Sequence, residues 1–307
     1  MENKELVADI KKILAERRGL WLAHNYQRPE VQDAADLTGD SLALSLAASR
    51  TDAEWIVFCG VHFMAESAAI LSPSKRVILP ELNAGCPMAN MITAEQLIEQ
   101  KKKLDPDTTI VTYVNSTAAV KAESDICCTS ANAARVVAAA PTGKVFFAPD
   151  QNLAQWTAAR TEKEVAWWPG YCHVHHHLRA AHILAAKAAH PDAVVIVHPE
   201  CRPEVTALAD VVASTSGMLN WAKTAKAGKA LVGTEIGMLH PLRKANSAVR
   251  FIPIEPDIQV CGNMKLTTLE SVAAALHDPE AHTVTVPPEI QARARRALDR
   301  MLAIPAD

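Results

Sequence analysis

The chain has 307 residues, of which 49% are hydrophobic and 21% charged, and a net charge of −3. That balance belongs to a globular protein; scattered Lys and Arg exclude a basic nucleic-acid face, and no apolar run nears the ~20 residues that span a bilayer. The charged opening MENKELVADIKKILAERRG reads as an amphipathic helix without the apolar core of a signal peptide, so a cytoplasmic setting with unpaired cysteines is expected.

After that helix, GLWLAH at 19–24 is the first apolar run. Runs of this kind suit parallel strands covered on both faces. EWIVFCG reads as a second strand, VHFMAESAAIL as a helix and KRVILP as a third strand, leading to Cys86 in NAGCPMAN. ITAEQLIEQKKKL is a linking helix. The order starts again at TIVTYV (109–114), with KVFFAPD, QNLAQWTAART, EVAWWP and then Cys172 in PGYCHVHH; HHHLRAAHILAAKAAH reads as the next linking helix. It starts a third time at AVVIVH (193–198), with KALVGTE, IGMLHPLRKA, VRFIPI, Cys261 in IQVCGNMK and a helix over 267–276. Strand alternating with helix implies right-handed crossovers. The expected fold is α/β: three similar three-layer α/β/α domains with parallel sheets, related by pseudo-threefold symmetry. Their boundaries are expected at 1–104, 105–190 and 191–307, with the active site at the shared centre.

Within these copies five positions recur. His24, Tyr26, Val31, Asp36 and Ser41 match Tyr113, Asn115, Val120, Asp125 and Ser130, and then His198, Glu200, Val205, Asp210 and Thr215. An internal repeat dictates architecture, and in parallel sheets the site lies beyond the carboxyl ends of the strands, where these polar residues stand. Imidazole, phenol, amide and hydroxyl groups outnumber acids, which suits a small polyanion. Ser41, Ser130 and Thr215 each precede a helical run and read equally as N-caps, a position that also binds anions. His175 falls within reach of this site, whereas His176 and His177 read as helix surface.

Cys86, Cys172 and Cys261 recur at spacings of 86 and 89 residues. Three remote thiolates lack the four ligands and the local C-x₂₋₄-C spacing of structural zinc. They fit an iron–sulfur cube on three cysteines, whose open fourth iron binds oxygen as a Lewis acid. Cys59, Cys127 and Cys128 read as core, and Cys201 stands beside the site without an assigned role. No Walker A, G-x-G-x-x-G or G-x-S-x-G motif occurs. An iron–sulfur hydro-lyase acting on a hydroxy acid and a non-catalytic iron–sulfur sensor remain the alternatives.

HNYQRPEVQDAADLTGDSLALS, FCGVHFMAESAAIL, AGCPMA, TYVNSTAAVKAESDICCTSANA, FAPDQNL, PGYCHVH, HPECRPEV, STSGM, GTEIGM and CGNM run in order from about residue 20 to 272. Together they resemble the quinolinate synthase family, the A protein of NAD biosynthesis. The resemblance implies condensation of iminosuccinate (iminoaspartate) with dihydroxyacetone phosphate to quinolinate, releasing phosphate and two waters. It implies a [4Fe–4S] cluster on Cys86, Cys172 and Cys261. Substrate binding falls to His24, Ser41, Tyr113, Val114, Asn115, Ser130, His198, Pro199, Glu200 and Thr215. Among these, Glu200 is expected to move protons, and Tyr26, assisted by His198 and Thr215, to handle tautomerisation of the triose. The implied partners are the two small molecules, with transient contact to the aspartate oxidase or dehydrogenase that makes the imine, and neither nucleic acid nor membrane. The family usually reads HYYQ where this chain has His24-Asn25-Tyr26-Gln27. Some members carry C-x-x-C-x-x-C at the third cysteine; Asp257–Val260 precede Cys261 here, so any disulfide switch attributed to that motif is expected to be absent.

Overall fold

The computed structural model describes residues 3–304. Its strands are β1 Gly19–His24, β2 Leu37–Gly39, β3 Trp55–Cys59, β4 Arg76–Ile78, β5 Thr109–Tyr113, β6 Ile126–Cys128, β7 Lys144–Ala148, β8 Glu164–Trp167, β9 Val194–Val197, β10 Val211–Val212, β11 Lys229–Gly233 and β12 Arg250–Pro253. They form three four-stranded sheets, β2-β1-β3-β4, β6-β5-β7-β8 and β10-β9-β11-β12, all parallel. Helices flank each sheet, as the apolar runs demand: Trp21, Leu22 and Ala23 are wholly buried, as are Val195, Ile196 and Val197.

Each sheet has one strand more than the three per copy that the pattern announces. The extra strands, β2, β6 and β10, are two or three residues long at a sheet edge. Segments this short carry no periodic signal. HHHLRAAHILAAKAAH likewise divides into the helices His173–His177 and Ala180–Ala189.

The strand order decides where a ligand fits. In each sheet the chain goes from the first strand outward to the short edge strand, then crosses back to the third. The first and third strands are neighbours whose onward connections lead to opposite sides. Such a topological switch point opens a crevice beyond the strands' carboxyl ends. This chain has three of them.

The recurring Asp residues serve the fold. Asp36, Asp125 and Asp210 each accept through Oδ2 from a backbone N–H of the preceding first strand: Trp21 at 2.9 Å, Ile110 at 2.7 Å and Val195 at 2.8 Å. Their own N–H groups return bonds to the carbonyls of those residues. Val31, Val120 and Val205 lie between, wholly buried. Three of the repeat's fifteen positions are therefore staples that fold each strand–helix corner, away from any ligand.

One core joins the first two units and receives Leu298 and Met301 of the helix Pro288–Leu302. A second covers the outer face of the first sheet, where Leu6, Ile10 and Leu14 of the opening helix meet Val272 and Leu276 of the helix Leu269–His277. Removing a buried leucine from such a core costs about 2–5 kcal/mol. Among the described residues no helix is long and apolar enough to cross a membrane.

Candidate active site

His24 ends β1, Tyr113 ends β5 and His198 follows β9 directly. The equivalent residues two steps on are Tyr26, Asn115 and Glu200, and all six line one cavity. So do Ser41, Ser130 and Thr215. Of the expected binding residues, Val114 and Pro199 do not line it; Val114 is core, with its N–H on Cys128 O.

The two imidazoles are held alike. Tyr26 N–H donates to His24 Nδ1 at 3.2 Å, and Glu200 N–H donates to His198 Nδ1 at 3.3 Å. An accepting Nδ1 places the ring proton on Nε2. Burial pushes both pKa values down to about 3, with Lys265 adding to the effect at His24 and the Glu200 charge opposing it at both. Both rings are therefore neutral donors at physiological pH. His198 Nε2 lies 3.2 Å from Ser130 Oγ, and its ring stacks on His175 at 4.6 Å.

Glu200 is 3% exposed and heavily contacted. The Tyr113 hydroxyl donates to Oε1, while Oε2 lies 2.8 Å from His175 Nδ1. That short approach lacks hydrogen-bond geometry, and His175 Nδ1 has no other protein partner. Burial opposes ionisation of Glu200; His175 and the Tyr113 hydroxyl outweigh it and hold the carboxyl below its usual range. It is a buried carboxylate with one hydroxyl donor on Oε1 and an imidazole nitrogen close to Oε2.

Tyr26 stands differently. Its hydroxyl meets Thr234 Oγ1 at 2.7 Å, and Thr234 Oγ1 meets His175 Nε2 at 2.9 Å. These contacts, rather than the His198 and Thr215 expected to assist it, form its chain of polar neighbours. Burial, then the Glu200 charge, raise the phenol's pKa well above its ordinary value, so the hydroxyl keeps its proton. Thr234 and His175 belong to no repeated position, which is why the repeat gives Thr234 no notice at all.

The hydroxyl positions are not N-caps. Ser41 and Thr215 are the first residues inside ten-residue helices, whose caps are Asp40 and Ser214. Asp40 accepts from Ala43 N–H and Ser214 from Gly217 N–H. Ser130 lies ahead of a helix that begins only at Ala133. One step of displacement takes Ser41 and Thr215 out of the capping place, and Ser130 stands three residues ahead of its helix. Where the family usually has a tyrosine, Asn25 donates through Nδ2 to Thr215 Oγ1 at 3.1 Å. Asn115 Oδ1 is buried without a partner at the cavity.

Cys86, Cys172 and Cys261 line the same cavity, and all seven cysteines are free. Burial pushes the Cys86 thiol up to about 12, and Cys261 and Glu200 push in the same direction. Burial also raises Cys172, aided by Glu200, Cys86 and Cys261. Burial raises Cys261 too, with Glu235 adding to the effect. Three sulfurs close enough to repel one another, among carboxylates, ionise only with a cationic group between them. The donor set thus fits a thiolate-bound iron–sulfur cluster. Cys172 Sγ also lies within 4.8 Å of a ligand atom of His175 and one of Glu200. Cys59, Cys127 and Cys128 are core as expected; Cys201 is also core, with its S–H toward Gly233 O.

Comparison with known proteins matches residues 8–303 to the family model described as "Quinolinate synthetase A protein". A relative in Geobacter sp. (strain M21), named quinolinate synthase, is 53% identical over 307 residues, covering all of both chains. The protein of the same name in Geotalea uraniireducens (strain Rf4) is 52% identical over the same span. Quinolinate synthase 1 of Methanosarcina acetivorans is 50% identical over 304 residues, covering 99% of each chain.

Proposed function

The chain belongs to the quinolinate synthetase A family, and on that footing we propose that it condenses iminosuccinate with dihydroxyacetone phosphate to give quinolinate, phosphate and two waters. The observation that carries this reading is the meeting of three free thiols and a ring of neutral donors around one carboxylate, at three equivalent switch points. Units 1–104, 105–190 and 191–307 each supply one cysteine and one set of donors.

Cys86, Cys172 and Cys261 hold a [4Fe–4S] cluster, which supplies a Lewis-acidic iron when bound. His24 and His198 donate from Nε2 to substrate carboxylate oxygens, and a neutral imidazole makes that bond without the desolvation cost of a buried cation. Ser41, Ser130 and Thr215 add hydroxyl donors, and Asn115 an amide. Ser41 and Thr215 stand in the first turns of their helices, where unpaired backbone N–H groups favour phosphate.

Glu200 is the general base: ionised, buried and flanked by donors, it takes a proton from carbon or nitrogen of the condensing pair and returns it later. Tyr113 fixes its Oε1 by a hydrogen bond, and His175 Nδ1 stands 2.8 Å from its Oε2. The Tyr26–Thr234–His175 chain carries a proton between the triose oxygen and the ring beside Glu200, which keto–enol exchange requires. Phe63, Met64, Met88 and Met264 at the cavity wall exclude water from the imine.

An anaerobic assay for quinolinate from the two substrates tests the reading. Turnover with iminosuccinate and dihydroxyacetone phosphate together, and with neither alone, is the expected result. Dehydration of a hydroxy acid without triose phosphate would place the chain with the hydro-lyases instead.

A further inference from the structure

The three cysteine loops are fastened to their sheets by one shared backbone bond, and two of them also by a buried carboxyl just beyond the third strand. His62 N–H donates to Ala84 O, Gln151 N–H to Gly170 O and Ile236 N–H to Gln259 O, each at 2.8 Å. Each acceptor lies two residues before its cysteine, Cys86, Cys172 or Cys261. Each donor lies just beyond its unit's third strand, directly after Val61, Asp150 or Glu235. These three residues therefore occupy the same place in the three units.

At that place the chemistry diverges. Asp150 Oδ2 accepts from Cys172 N–H at 3.2 Å, and Glu235 Oε1 accepts from Cys261 N–H at 3.1 Å. Both carboxyls are buried, at 0% and 1% exposure. Each is itself held: Asp150 Oδ1 by the N–H groups of Asn152 and Leu153 at 2.8 Å, Glu235 by Gly237 N–H at 2.7 Å and by Lys265 Nζ. Lys265 also donates to Tyr26 O, so the third cysteine loop is tied to the first unit's site corner. Val61 offers Cys86 nothing of the kind; that loop is held instead from the third unit, where Asn263 Nδ2 donates to Gly85 O at 2.8 Å.

The third unit's carboxyl corner is close-packed: a Cβ on Gly237 would lie 2.8 Å from Glu235 Oε2 and 2.7 Å from Lys265 Nζ.

We propose that Asp150 and Glu235 are positioning residues that hold Cys172 and Cys261 in ligand geometry, a role that Val61 does not take for Cys86. This rests on the reading of the cysteines as cluster ligands. Outer partners that orient metal ligands raise affinity by sparing the ordering of the ligand on binding.

The test uses the full chain with Asp150→Asn and Glu235→Gln made singly, each nearly isosteric. Peptide-level amide exchange should quicken on the order of tenfold over Cys172 in the first variant and over Cys261 in the second, as loss of one such bond implies. The peptide over Cys86 should exchange at the wild-type rate in both. Under anaerobic challenge with an iron chelator, visible cluster absorption should fade several-fold faster than in the wild type. Unchanged exchange at the named cysteine in a folded variant overturns the proposal, as does equal quickening over Cys86. Glu235→Gln, on its own loop, decides alone if Asp150→Asn fails to fold. Absence of iron and sulfide from the wild-type protein would sink the cluster reading and leave the exchange comparison standing.

Discussion

At the end of β1, His24 takes a hydrogen bond on Nδ1 from the N–H two residues ahead; just after β9, His198 does the same. Both rings are buried and neutral, and both face one cavity. The residues that supply those N–H groups differ entirely. Tyr26 turns its hydroxyl to Thr234 and keeps its proton, whereas Glu200 sits ionised between Tyr113 and His175. A repeated backbone thus supplies repeated imidazoles, and in the proposed reaction the acid–base groups stand where the copies disagree.

The harshest way to break this comparison is to remove what both corners share. Cys86→Ala, prepared without oxygen, should lose iron, sulfide and all measurable quinolinate formation; a full iron and sulfide complement in that variant overturns the ligand set. Next comes the divergent position itself. Glu200→Gln should retain visible cluster absorption and lose kcat by about 10²–10⁴-fold, the usual contribution of a positioned acid–base group. Undiminished turnover would remove Glu200 from the mechanism. Tyr26→Phe should reduce kcat by about 10²-fold at the lower end of that range; if it raises KM alone, Tyr26 binds substrate and moves no proton.

The matching histidines make a smaller prediction, read in stability. With folded pKa values of about 3 against an ordinary 6.5, both rings stay neutral in the fold while the unfolded chain takes up protons below pH 6.5. Stability is therefore flat above that pH and falls as the solution is acidified toward 3. By pH 5 each ring costs about 2 kcal/mol. His24→Gln should flatten the fall in urea midpoint between pH 7 and pH 5 by roughly half of the two-histidine effect. An unaltered pH slope would show that His24 is protonated in the fold. The smallest effect belongs to the staples. Asp210→Asn should lower stability by about 1–2 kcal/mol through its lost bond to Val195 N–H. Its kcat should match the wild type, and a large loss of kcat at intact stability would return Asp210 to the site.

Spacing alone carried much of the site. The offsets shared by three segments, and the matching cysteine intervals, place His24, Tyr113, His198, Ser41, Ser130, Thr215 and three sulfurs at one cavity because equivalent residues in equivalent units face the same centre. The same pattern was silent on which repeated residues are staples: Asp36 and Ser41 recur equally well, and only their hydrogen bonds separate them. It misplaced the helix caps by one residue, since Asp40 beside Ser41 and Ser214 beside Thr215 are all good capping types.

What the sequence by itself determined is the triplicated α/β plan, because apolar runs long enough to need cover on both faces recur with their turns at fixed intervals. What only the tertiary structure decided is which groups act together. Thr234 joins Tyr26 to His175 across 208 and 59 residues, and Tyr113 meets Glu200 across 87. Such pairs come from different units, so no local period links them. They exist because three switch points turn toward one another and burial leaves each polar group only its neighbours across the cavity as partners.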